Sequence, residues 1–250
     1  MQGIYQKLTS MSLAGVAAAT CMLAAPTPAL ALTEQQILEK LNGIPVFLIV
    51  NEEGQSLTAS VTSNEQELQV PIVFINSVEA EAFIDNAENE QAEIAGDAQI
   101  AVLPLSEVYA EATQQLEGAE SLVYIPSSES VDQASQIVDQ DVQGVPLYAA
   151  VDLENDRYLL TGNNTLPMFF SLQDLQSQVS TLVANNPDIE DSIGVEVTTF
   201  ETILGNMAAN NPEVDEVMEL IQFVPSSQTL QYLQNLSQEA APTQEAVPAE

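Results

Sequence analysis

Ile44-Pro-Val-Phe-Leu-Ile-Val50, closed by Asn51-Glu-Glu-Gly54, and Val145-Pro-Leu-Tyr-Ala-Ala-Val151, closed by Asp152-Leu-Glu-Asn-Asp156, decide the fold. Each is apolar at consecutive positions and bounded by turn residues, which suits a strand covered on both faces. The closing segments read as hairpin turns into second strands near Ser56 to Thr62 and Arg157 to Thr161. Outward from these runs the resemblance between the two parts of the chain continues. Val73-Phe-Ile-Asn-Ser-Val-Glu79 matches Met168-Phe-Phe-Ser-Leu-Gln-Asp174 at an offset of 95, as does Val102–Tyr109 against Val197–Leu204. Leu122-Val-Tyr-Ile-Pro-Ser-Ser128 matches Ile221-Gln-Phe-Val-Pro-Ser-Ser227 at an offset of 99. Four segments in one order indicate a tandem duplication.

Each half then reads hairpin, strand, helix, strand, helix, strand, helix. The third strands lie near Val70 to Ile75 and Leu166 to Phe170, the later ones near Gln99 to Leu103, Leu122 to Ile125, Gly194 to Val197 and Leu220 to Val224. Asn76 with Glu79, and Ser171 with Asp174, carry helix-capping spacing. Leu172, Leu175, Val179, Leu182 and Val183 share a helical face. The expected fold is α/β in the mixed α+β sense, internally duplicated. Each of two pseudo-symmetric halves, 44–140 and 141–236, has a mostly antiparallel or mixed sheet with flanking helices.

A helix over 32–43 precedes the first half. Thr33 is its N-cap, Gln36 the capping-box partner and Leu32 a staple against Ile37. Glu34 and Lys40 suit the two ends of its dipole, and Gly43 is expected to end it in a left-handed conformation. Residues 1–31 read as an export signal: Lys7, an apolar run of about 15 residues from Met11 to Ala25, then Pro26-Thr-Pro28 and Ala29-Leu-Ala31. The run is short of the roughly 20 residues a membrane span needs. A lipoprotein anchor at Cys21 is disfavoured by Ala18-Ala-Thr-Cys21. Residues 237–250, polar and Pro-containing, read as a disordered acidic tail.

Composition removes much chemistry. The 250 residues hold 37 Asp and Glu against 3 Lys and Arg, a formal charge of −34, with no His, no Trp and one Cys. Ser/His/Asp and Cys/His nucleophile systems and an ordinary zinc site cannot be built from this set. Nucleic acid and anionic membrane are poor partners for such a charge. Apolar residues make up 46% of the chain, enough for a folded core.

Asp152-Leu-Glu-Asn-Asp156 alternates acids like a calcium loop, but Arg157 and Asn163 stand where such a loop needs Gly and Glu, so it reads as a solvated turn. The acid-rich stretches 88–93 and 187–191 could hide paired carboxylates, yet near pairs arise from this composition alone. Asn163-Asn-Thr165 and Asn235-Leu-Ser237 fit the glycosylation pattern, which an export route of bacterial type makes incidental. No catalytic residue, metal or cofactor is expected. The aromatics of the repeat say more: Phe47, Phe74, Tyr124, Tyr148, Phe169, Phe170 and Phe223, with Met168, fall on or beside the repeated strands. Core packing is one reading of them. The other is that about three helices per half leave one sheet face partly uncovered, creating apolar grooves for extended polypeptide.

The Ile44–Gly54 run, the Val73-Phe-Ile-Asn-Ser-Val-Glu-Ala-Glu-Ala-Phe-Ile84 passage and their second copies resemble the Tic22-like family, from about Leu32 to Leu236. That family comprises an intermembrane-space subunit of the chloroplast inner-envelope translocon and exported cyanobacterial relatives. The resemblance implies a non-enzymatic, chaperone-like protein of duplicated α/β structure with nonpolar grooves. It implies a periplasmic and also thylakoid-associated location, unfolded or translocating polypeptides as partners, and work beside the outer-membrane barrel-assembly protein in envelope biogenesis. The bacterial-type leader points to the cyanobacterial branch. The competing reading is an exported structural or small-ligand-binding module with no client polypeptide, and a third is a carboxylate hydrolase. The near absence of Lys suggests adaptation to salt. Because salt screens self-repulsion, the melting temperature is expected to rise from low to high salt, as a calorimetric salt titration would show.

Overall fold

The first hairpin shows how the chain is started. Asn51 Oδ1 accepts from the backbone N–H of Glu53 and Gln55 at 3.1 and 2.8 Å, and Gly54 takes the left-handed conformation at φ 78°. In the second hairpin Asp152 plays the part of Asn51, and Asp156 adopts φ 51°. The computed structural model describes residues 32–63, 66–92, 96–114, 122–209 and 214–239. The expected export signal and the end of the tail lie outside these residues. Ser237–Glu239, expected as tail, is the last turn of a helix.

The opening helix α1 (Glu34–Leu41) has the full capping box at Thr33 and Gln36. It does not end on a left-handed Gly43. Asn42 closes it in right-handed helical geometry, its N–H donating to Leu38 O at 2.9 Å, and Ile44 N donates to Leu41 O at 3.1 Å. The chain can therefore enter the first strand without a left-handed residue.

The first half runs β1 (Pro45–Val50), β2 (Thr58–Ser63), β3 (Gln66–Phe74), α2 (Ser77–Asn89), β4 (Gln99–Pro104), α3 (Leu105–Thr113), β5 (Val123–Ile125) and α4 (Ser128–Val138). The second runs β6 (Pro146–Asp152), β7 (Arg157–Tyr158), β8 (Leu166–Phe169), α5 (Leu172–Asn185), a 3₁₀ turn (Pro187–Ser192), β9 (Ile193–Thr199), α6 (Phe200–Ala208), α7 (Asp215–Leu220), β10 (Ile221–Val224) and α8 (Ser227–Glu239). Each half forms its own mixed sheet. β1 lies antiparallel to β3 and β4, with β5 parallel to β3; β6 lies antiparallel to β8 and β9, with β10 parallel to β8. The registers correspond: Phe47 pairs with Phe74 and Val102, Tyr148 with Phe169 and Val197, Phe74 with Ile125 and Phe169 with Val224.

Alternation along β1 and β6 sends side chains to two buried layers. Val46 and Leu48 with Val73 and Tyr124, and Leu147 and Ala149 with Met168 and Phe223, join one cluster with the apolar faces of α1, α3 and α6 and Met218 of α7. This helical layer serves both sheets at once. The outer faces are covered crosswise. Phe47, Ile49 and Phe74 of the first sheet pack with Ala80 of α2 and Tyr232 of α8, the last helix of the second half. Tyr148, Ala150 and Phe169 of the second sheet pack with Leu175 of α5 and with Ala134 and Ile137 of α4, the last helix of the first half.

Two polar contacts fasten elements distant in sequence. Lys40 Nζ donates to Glu219 O and Ile221 O at 2.8 and 2.9 Å, so it serves the carbonyl end of α7 beyond its own helix. Val145 N, on the link into β6, donates to both carboxylate oxygens of Glu201 at 3.1 and 3.0 Å, and burial holds that carboxyl above its usual range. Gly144, at φ 96°, lies so close that a Cβ there would come within 2.6 Å of Glu201 Oε2.

In the shared layer Phe200 is fully buried, with ring centroids 5.2 Å from Tyr124, 5.8 Å from Phe170 and 5.2 Å from Phe223. Truncating it opens a cavity between the sheets. Phe200→Ala is expected to cost about 3–5 kcal/mol, read as a shift in the urea midpoint with both halves melting together.

Candidate functional site

The eight residues expected to line a groove divide among three buried places. Phe47 and Phe74 lie under the first sheet's outer cover, Phe47 edge-on to Tyr232 at 5.4 Å and Phe74 to Phe83 at 5.8 Å. Tyr148 and Phe169 lie under α4 and α5, and Tyr148 Oη donates to Ser130 O within the α4 contact. Burial raises the Tyr148 phenol's pKa above its usual range. Tyr124, Met168, Phe170 and Phe223 lie in the shared layer. Burial also pushes the Tyr124 phenol far above the usual range, and its Oη has no hydrogen-bond partner among the described residues. None of the eight is open to solvent. Counting helices per half undercounts their covers, because α1, α3 and α6 serve two sheets and α4 and α8 cross over.

The apolar surface that is open lies on the covers themselves. Val78 and Phe83 on α2 and Leu230 and Leu236 on α8 are large exposed side chains over the first sheet. Leu230 and Leu233 border a shallow groove with Gln234, Ser237 and Gln238. Leu182, expected on the buried face of α5, is exposed, while Leu172, Leu175 and Val179 pack against the second sheet. Leu153 and Leu160 are exposed in the second half.

A cleft of about 340 Å³ lies where α2, α4, α5 and α8 begin, lined by Asn76, Ser127, Ser130, Ser171, Ser226, Ser227 and several Gln, with Ile75 and Phe170 beneath. Its helix ends are already satisfied. Asn76, Ser127, Ser171 and Ser226 accept from the N–H groups of Glu79, Ser130, Asp174 and Thr229. Glu79 Oε1 also accepts from Ser128 N at 2.8 Å, and Asp174 accepts from Ser227 N and Oγ at 2.7 Å each. A capping acid of one helix thus neutralises the start of another. The Asn76, Ser171 and Pro-Ser-Ser signals were visible in sequence; their convergence needed the crossing of α4 and α8.

No cluster of His, Cys, Asp or Glu able to hold a metal occurs among the described residues. The calcium-like loop is a hairpin turn: Asp152 accepts from the backbone of Glu154 and Asn155, from Asn155 Nδ2 at 2.7 Å and from Arg157 Nε at 3.2 Å. No described helix is long and apolar enough to cross a membrane.

Two mixed sheets sharing a helical layer, with cross-covered outer faces and exposed apolar side chains on those covers, define the class as a two-sheet α+β protein. The chain belongs to the Tic22-like family, whose model matches residues 6–235. It is similar to the chloroplastic protein TIC 22 of Pisum sativum, 23% identical over 207 residues, covering 80% of this chain and 76% of that one. Anabaena Tic22, described as a protein-transport protein, superposes with a TM-score of 0.63 at 24% identity, covering 82% of this chain and 97% of the other. Tic22 from Plasmodium falciparum gives 0.59 at 23% identity, covering 82% and 99%.

Asp152 tests the turn. The side-chain amide of Asn155, then backbone N–H groups and Arg157, hold its carboxyl below the ordinary range. A lowered native pKa contributes stability above the unfolded value of about 3.9 that is lost as pH falls through the native one. Asp152→Asn is therefore expected to lower stability at neutral pH and to flatten the acid limb between about pH 5 and pH 2, as urea midpoints across that range would show.

Proposed function

We propose that this protein is a chaperone-like component of protein transport that holds unfolded or translocating polypeptide outside the cytoplasm. The observation that carries the proposal is the set of exposed apolar side chains, Val78, Phe83, Leu230 and Leu236, on the two helices covering the first sheet of a strongly acidic protein. Such side chains bind extended or amphipathic segments, and the surrounding carboxylates keep the unliganded protein soluble. The family membership and the transport role of the Anabaena relative support this reading. The apolar run Met11–Ala25 and the Ala29-Leu-Ala31 motif support export to a periplasm, and outer-membrane proteins and their barrel-assembly machinery are the partners such a location offers. The common order β5-β3-β1-β4 and β10-β8-β6-β9 and its registers support a tandem duplication as the origin of the two halves, which differ where β2 pairs with β3 and β7 with β6.

A second reading, a module for a small neutral ligand, draws on the polar cleft between the four helix starts. The two readings separate in one experiment. Residues 32–250 are expected to suppress aggregation of a chemically unfolded outer-membrane barrel protein at low and high salt, measured by light scattering. Val78→Ser with Phe83→Ser and Leu230→Ser should reduce suppression several-fold while circular dichroism stays unchanged. Absence of suppression in the unaltered chain overturns the chaperone reading.

A further inference from the structure

The two outer covers occupy corresponding places but are not equally held. α4 and α8 align at the offset of 99 seen in Pro-Ser-Ser, so that Ser130, Gln133, Ala134 and Ile137 correspond to Thr229, Tyr232, Leu233 and Leu236. In α4, Ala134 is fully buried, Ile137 packs on the second sheet, and Ser130 meets the Tyr148 hydroxyl and Phe170 O. In α8 a Leu stands where the small Ala lets α4 approach, and Leu236 is exposed where Ile137 is packed. Of the eleven residues of α4 four are exposed, against nine of the twelve whose burial is described in α8. Among the described residues, α4 lies between two strands, β5 and β6, and α8 follows β10.

We infer that α8 is a displaceable cover, and that the outer face of the first sheet beneath it, centred on Phe47 and Phe74, is a docking surface for an amphipathic segment of the client polypeptide. The inference rests on the polypeptide-holding reading above and names the surface and the partner segment. The occupant's chemistry is set by what it replaces and what surrounds it. Tyr232 meets Phe47 edge-on, so the segment carries an aromatic residue on its apolar face. The flanking helix α2 carries Glu79, Glu81, Asp85 and Glu88 and no cation, so a neutral or basic segment is favoured over an acidic one. Removing α8 takes Tyr232 off Phe47, which is fully buried and already ordered by its strand beside Ile49 and Phe74. Local opening of α8 is the low-energy route to that state, since it leaves the shared central layer intact.

The test uses the full chain. Native-state hydrogen exchange is expected to show α8 amides exchanging about tenfold or more faster than those of α4, as a sub-global opening does. The binding probe is a fluorescent peptide of the α8 sequence, Ser227–Glu239, with its Gln residues replaced by Lys. Tyr232→Ala should loosen the cover and raise peptide binding several-fold, whereas Phe47→Leu, which keeps an apolar residue in the core, should lower it. Equal exchange of the two helices, or peptide binding indifferent to both substitutions, overturns the inference. Aggregation suppression that depends on Val78 and Phe83 but not on Tyr232 keeps the transport reading and removes this surface. Fast α8 exchange with peptide binding but no suppression keeps the surface and removes the transport reading.

Discussion

Strands apolar on both faces impose the constraint on which the rest of this structure depends. Each of the two central strands, β1 and β6, must be covered twice, and the chain meets that need with a helical layer shared between the sheets. Sharing reduces the helices required but leaves each outer face to be closed by what remains. The crosswise use of α4 and α8 closes them and binds the halves to each other, because each sheet is completed by chain from the opposite half. Neither half keeps its apolar faces covered alone, so separation into independent domains would expose both cores to water.

The charge distribution fits the same constraint. A chain of −34 repels itself, and compactness then rests on apolar burial and on carboxylates placed where a local positive field awaits them. Glu79 sits at the starts of α2 and α4, Asp174 at those of α5 and α8, and Glu201 holds the link at Val145. The scarce cations are spent at positions of similar leverage: Lys40 binds the first helix to the carbonyls closing α7, and Arg157 braces the second hairpin through Asp152.

Much of this was legible in the residues. The offsets of 95, 99 and 101 between the matched runs recur in the strand registers, and both strand-to-helix caps form as their spacing predicts. Those features are local, or set by two apolar runs pairing, and sequence carries them directly. Helix α1 ended otherwise than expected because Asn42 could close it without the left-handed geometry Gly43 offered. The candidate site was less legible for a different reason. Phe47 and Phe74 were correctly placed on strands, but Phe47 is covered by a helix more than 150 residues later in the chain, and no periodicity reveals which sheet a helix will cover. The exposed Val78 and Phe83 were missed because an aromatic on a helix with apolar neighbours reads as core until the face it turns to is known.

The two covers differ at a few corresponding positions, and the sheets beneath them differ at one edge, where β2 pairs with β3 but β7 pairs with β6. Tyr148 has a hydroxyl that reaches Ser130 of α4, whereas Phe47 at the corresponding place meets Tyr232 of α8 edge-on. A buried hydrogen bond adds direction to a contact that apolar packing leaves free to slide. Ala134 is fully buried against the second sheet, whereas Leu233 at the corresponding place borders the shallow groove with Leu230. Two sheets of similar central pairing thus meet their covers through different side chains, Tyr148 with Ser130 and Ala134 on one side and Phe47 with Tyr232 on the other. Substitution at those covers leaves the core between the sheets untouched, because Phe200 and its ring neighbours belong to the shared layer and not to either outer face.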